Sequence, residues 1–474
     1  KRIIDRDTHM KNRLVLSAIA SALLLAGCGD AETNIVELDP IEVPEDDHDH
    51  DGHDHDDDHD SDYDIESEGR LVVADAASNT LTVFDLDDNS VLDTFSATFD
   101  GSSVSASADY RFAVINSRAN GLTEFLDGGL WREDHVEHLH DYEEAPSLSG
   151  FTLEGSQPTH VVTHDGQLAV FYDGDADTSM PAAVKVVTDT QIASEITEVP
   201  TLEFTVNMHG VAEPRGDMLI STVRRDDAES RSANPILPDS VAVYHWHDGE
   251  YEEEQRFGGE CADLHGAAQN EIAVAFGCSD GVLILNEDDE VFTSAFIDNI
   301  DGLGDLRIGT MYGHEHAEAF IGIASQHGGG SAILANVSPV TSTMSVIDWQ
   351  PETDAHAVSY GFSMGGEFFV ILDDKGFVTL LEAHEEDGDT HWEFSHKIDV
   401  ASASAANLAE GQSFSMAASQ HEEALFVVDP VAQAILAVDL EAETSETLLE
   451  LDFEPAGAVW LGIAEEHEHD DHDH

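Results

Sequence analysis

The feature that most restricts what this chain can fold into is a short phrase that recurs along it. Leu264-His265-Gly266-Ala267-Ala268 has the form of Met208-His209-Gly210-Val211-Ala212, and Thr159-His160-Val161-Val162 and Ala355-His356-Ala357-Val358 are variants. A strand-like apolar run follows each after a short gap, at 167–171, 217–222, 271–276 and 367–372. Pairs of short apolar runs recur as well: 70–75 with 80–85, 368–373 with 377–381, and 423–429 with 434–439. The spacing is roughly 40 to 50 residues, the period of a propeller blade. Each unit reads as inner strand, middle strand, third strand and a polar outer strand. Inner strands are expected near Val104, His160, His209, His265, Arg307, His356 and Phe414. The first unit, from Arg70, lacks one, and 455–463 can supply it by strand exchange. The fold class is therefore all-β: a β-propeller over 69–465 with about eight blades, or seven if two weak units merge. A β-helix would need shorter periods, and a sandwich would not keep this one.

The repeat turns single histidines into a set. Innermost propeller strands line a central channel, and their first residues ring one mouth of it. His160, His209, His265 and His356 share that register, so they are candidate metal ligands aimed at one space. Two or three imidazoles completed by water or a carboxylate suit zinc. Opposite walls of a wide channel are far apart, which favours the consecutive set His160, His209 and His265. His164, four residues on, can add to the site, and Asp263 can orient His265 or ligate. Propeller axes also carry polar residues that only bond buried water; four in register weigh against that reading. His135, His138, His140, His245, His247, His314 and His316 fit a surface role better than a ligand role, and His327 can approach the channel at a turn.

Outside the body the chain is of a different kind. Residues 1–9 read as a misassigned start or a tag. Met10 opens a signal peptide with basic Lys11 and Arg13 and an apolar run over 14–25, too short for a membrane span. Leu25-Ala26-Gly27-Cys28 is a lipobox, so Cys28 is the expected lipidation site and 10–28 the lipoprotein signal. Gly29 in second place leans to the outer membrane, by likeness to bacterial lipoproteins. Residues 29–68 carry no apolar periodicity and read as a disordered tether. Within it His48, His50, His53, His55 and His59 alternate with Asp, and 466–474 is a similar His/Asp-rich tail. Imidazole with carboxylate suits zinc, but a structureless tract has no fixed geometry and should hold several ions loosely.

Charge narrows the partners. There are 99 Asp and Glu against 18 Lys and Arg, a formal net charge of −81. Nucleic acid is excluded, because phosphate backbones are held by Lys and Arg, and the expected membrane contact is the lipid anchor only. Cys261 and Cys278 remain once Cys28 is lipidated. In an oxidising compartment a disulfide is the first expectation, and two thiols in a zinc site the second.

This combination resembles the AztD-type zinc chaperones of the bacterial periplasm. The features that carry it are the exported propeller, the His–Asp tract, the inner-strand motifs at His160, His209, His265 and His356, and the Cys261–Cys278 pair. The lipobox and the heavy acidic tails depart from that pattern. The resemblance implies a periplasmic zinc metallochaperone that passes its ion to the solute-binding protein of an ABC zinc importer, with Zn2+ bound and no catalysis. A monomer is expected. The alternatives are a metal-dependent, lactonase-like propeller hydrolase and a non-catalytic interaction scaffold. No Cys-X-X-Cys-His, nucleophile elbow or acid pair stands out to support an enzyme.

Overall fold

Short apolar runs broken by Asp, Gly and Asn turns fold into strands that hydrogen-bond in sequence order. The computed structural model describes residues 36–37, 41–42, 67–134, 138–226, 236–259, 261–288, 290–326, 332–386 and 389–465. Eight of its four-stranded antiparallel sheets are the blades of one propeller. Blade 1 is closed by exchange: its inner strand, Pro455–Leu461, pairs with Arg70–Asp75, followed outward by Thr80–Asp85 and Val91–Ser96. The inner strands of blades 2 to 8 are Ser103–Ala106, Pro158–His164, Ala212–Arg215, Ala267–Gln269, Arg307–Tyr312, Ala357–Phe362 and Ser415–Ala418. The eight-blade alternative thus holds. His160 lies inside its strand, whereas His209, His265 and His356 stand one to three residues before theirs, in the loops that form the mouth.

The burial pattern follows from this layout. Second strands such as Phe112–Ser117, Met218–Val223 and Ala424–Asp429 are buried along their whole length, because each is covered on both faces by neighbouring blades. That is why they read as continuous apolar runs rather than alternating ones. Outermost strands such as Glu250–Gly258 face water and are largely polar. There is no single core. Each pair of adjacent blades shares its own apolar cluster, from Val72, Val83, Ile115 and Leu126 between blades 1 and 2 round to Leu71, Val73, Val428 and Ile435 between blades 8 and 1.

Two departures matter for function. A hairpin, Leu130–Asp134 with His138–Glu143, extends from blade 2. Val36–Glu37 and Ile41–Glu42 pair with its second strand, so part of the stretch expected to be structureless has a fixed place. Backbone pairing on a sheet edge needs no apolar periodicity, and two residues are too few to show any. The expected lipidation site Cys28, the tract histidines His48, His50, His53, His55 and His59, the tail at 466–474, His135 and His327 lie outside the described residues. Cys261 and Cys278 are disulfide-bonded, with Cα atoms 5.2 Å apart, which settles the choice against a thiol zinc site. No helix among the described residues is long and apolar enough to cross a membrane.

A candidate metal centre at the channel mouth

Three consecutive blades deliver three histidines to one point. The His160 and His209 ring centroids are 5.0 Å apart, His209 and His265 also 5.0 Å, and His160 and His265 6.2 Å. The Nε2 atoms of His160 and His209 face each other at 3.5 Å. Two imidazoles on one tetrahedral zinc stand about 3.3 Å apart, from Zn–N bonds of about 2.0–2.1 Å. Among the described residues no three His, Cys, Asp or Glu side chains are already closed round a common point, so the rings are gathered but not drawn in.

Two of the three rings have a local cause for their direction. His209 donates from Nδ1 to Asp173 Oδ2 at 3.0 Å. His265 donates from Nδ1 to the Gly309 carbonyl at 2.8 Å. Both bonds fix the tautomer that leaves Nε2 with its lone pair, the usual support for a metal-binding histidine. Asp173 is itself held, since the same Oδ2 accepts from Arg118 Nη2 at 2.8 Å. Its Oδ1 is buried without a hydrogen-bond partner, an acceptor left over beside the triad. Burial, then the neighbouring His209, pulls the His160 imidazole down to about 4, against the opposing pull of Asp173. His160 is therefore neutral at pH 7, the form that ligates.

The glycines in the two His-Gly phrases now have a reason. A Cβ on Gly266 would sit 2.6 Å from Gly309 O and 2.9 Å from Thr310 Cα. One on Gly210 would sit 2.5 Å from Thr222 Oγ1 and 2.6 Å from the Phe171 ring. Inner strands and their neighbours approach this closely only without a side chain. The disulfide lies at the same mouth, tying the loop before His265 to the residue after the buried strand Ala273–Gly277.

Other expected contributors are placed differently. His356 precedes its strand two blades beyond His265; it is exposed, and its backbone N–H bonds Asp374 Oδ1 at 3.0 Å. His164 ends the strand in which His160 lies, about 13 Å away at roughly 3.3 Å per residue, so it belongs to the opposite mouth and does not assist the triad. Asp263 is exposed and turns on a φ of 49°; the orienting group on His265 is a backbone carbonyl instead. His314 and His316 pack together with ring centroids 5.4 Å apart, and His140 is buried in the hairpin beside Tyr142. Asp173 was missed from the sequence. Its only signal is an Asp just after a blade's second strand, close to the place of Asp75, Asp373 and Asp429, which end theirs.

Fold and mouth together define an eight-bladed propeller with a three-histidine centre at one end of its channel. No family model matches the chain. It is similar to the zinc chaperone AztD of Citrobacter koseri, at 22% identity over 432 residues, 85% of this chain and 91% of that protein. Two solved structures of Citrobacter koseri AztD have the same fold. The apo form matches at TM-score 0.65 and 18% identity over 83% of this chain and 97% of that one; the other matches at 0.67 and 19% over 84% and 99%. The dihydro-heme d1 dehydrogenase NirN shares the propeller at TM-score 0.52 and 10% identity, over 84% of this chain and 76% of its own. The resemblance read from the histidine motifs and the cysteine pair is thus met by the comparisons.

Proposed function

We propose that this chain is an exported zinc metallochaperone. It captures Zn2+ between His160, His209 and His265 and passes the ion to the solute-binding protein of an ABC zinc importer, with no chemistry on the ion. The observation that carries this reading is the arrangement of the triad: the three rings gather at one point, and two of them are fixed from behind by Asp173 and Gly309. Three protein ligands leave a fourth position for water or for a ligand of the acceptor, which transfer requires. The relative named a zinc chaperone supports the same role. The disulfide suits an oxidising compartment such as the periplasm, and Cys28 would hold the protein at the membrane. The tract at His48, His50, His53, His55 and His59 would collect ions more loosely.

The test is a competition titration of the full chain with zinc against a chelator of known affinity. A tight component that saturates at one ion, lost in both His209→Ala and His265→Ala, is the expected result. Unchanged affinity in both variants would sink the proposal.

A further inference from the structure

The triad has a second tier beneath it. His160 and His209 are 49 residues apart and meet; His164 and Glu213 are four residues further along the same two inner segments, again 49 apart. Glu213 and Gln269 repeat the 56-residue spacing of His209 and His265, and they are bonded, Gln269 Nε2 to Glu213 Oε2 at 3.0 Å. Four residues of strand put this tier about 13 Å down the ring. It opens on a separate cavity of about 610 Å³ that His164, Glu213, Gln269, Tyr110, His314 and Glu315 help to line.

Glu213 is the informative residue. It is 1% exposed, yet its Oε1 has no hydrogen-bond partner. The neighbouring amide cannot turn to supply one. Gln269 Oε1 accepts from Arg215 Nη1 at 3.2 Å, and its Nε2 already donates to Glu213 Oε2 and Pro214 O. Arg215 is in turn spent on Glu287 and on the carbonyls of Asn270 and Glu271. A buried carboxylate oxygen without a donor is costly unless a cation or water takes it. Burial pushes the Glu213 carboxyl up to about 7, with Gln269 and Arg215 opposing. Burial also lowers the His164 imidazole, which keeps it neutral and able to ligate.

We propose that the channel carries a second divalent transition-metal site, held by Glu213 Oε1 and His164 at the mouth opposite the triad, with water in the remaining positions. An imidazole with one carboxylate selects a zinc-class ion over calcium or magnesium. The roomy cavity makes the site open and exchangeable rather than a closed cage. Its placement fits the rest of the chain. Gly462 N–H donates to the carbonyl of Tyr110, a lining residue, and Arg70 lies opposite Leu461 in the same sheet. The described chain therefore resumes at 67 and stops at 465 on this face, not beside the triad. The site stands on its own residues whether or not the triad holds zinc.

The experiment is anomalous diffraction at the zinc edge from crystals of the full chain soaked in Zn2+. The expected map shows a peak about 2.0–2.2 Å from Glu213 Oε1, within reach of the His164 ring and separate from the triad. That peak is lost in Glu213→Gln while the triad peak remains; His164→Asn serves equally if the first variant fails to fold. A triad peak with nothing at Glu213, or a second peak unchanged in both variants, overturns the proposal. A peak at Glu213 with none at the triad supports it and overturns the capture site instead. No peak at either overturns both.

Discussion

His160 is where the proposed zinc ligation and acid tolerance meet in one side chain. Its folded value of about 4 lies below the ordinary 6.5, so the folded protein favours the neutral ring. The stability this brings is complete above 6.5 and is lost as pH falls from there toward 4, where the unfolded chain binds the extra proton. His160→Gln should remove that dependence. In denaturant titrations across this window the metal-free wild type should lose about 1–3 kcal/mol more than the variant; equal losses would show that the ring is not buried as described. Asp173 makes a second prediction. Asp173→Asn keeps the shape but weakens the support behind His209, and zinc affinity should fall by about 10–100-fold in the chelator competition. Which histidines cluster was legible in the sequence, because the repeat fixes their register. Asp173 was not, because the same acidic residue closes second strands in several blades, and only the packing of blade 3 on blade 4 brings one copy behind an imidazole.

At the level of the element, the inner strand of blade 5 ties folding to binding. Gly266→Ala would press on Gly309 and Thr310, the backbone that receives the His265 hydrogen bond. Overpacking of this kind costs about 1–3 kcal/mol. Both the thermal midpoint and the zinc affinity should drop together; a drop in one alone would separate the two roles. Replacing Cys261 and Cys278 by Ser opens a loop with a sequence separation of 17, worth about 3 kcal/mol in chain entropy. Calorimetry of the double variant against the oxidised wild type measures it. The blades themselves were readable from their 40–50-residue period. Which end of each inner strand a residue occupies was less so. His164 reads as a helper of His160, but both stand on one extended strand, whose rise carries residues four apart to opposite mouths.

For the whole molecule, the dominant long-range force is repulsion among 99 carboxylate side chains. Screening shortens its reach to about 10 Å at 0.1 M salt, so the melting temperature should rise with added sodium chloride, and a flat response would mean that the charges are already spaced to avoid one another. The eight inter-blade clusters would otherwise behave as a chain of neighbours, each touching the next, with two raw ends. What changes that is the pairing of Pro455–Leu461 with Arg70–Asp75. Leu71 and Val73 reach the folding compartment among the first of the body, and Trp460, which completes their cluster, among the last. The final strand therefore acts as a clasp: until it arrives, the earliest blade waits with an open edge, and the order of synthesis delays the ring to the end.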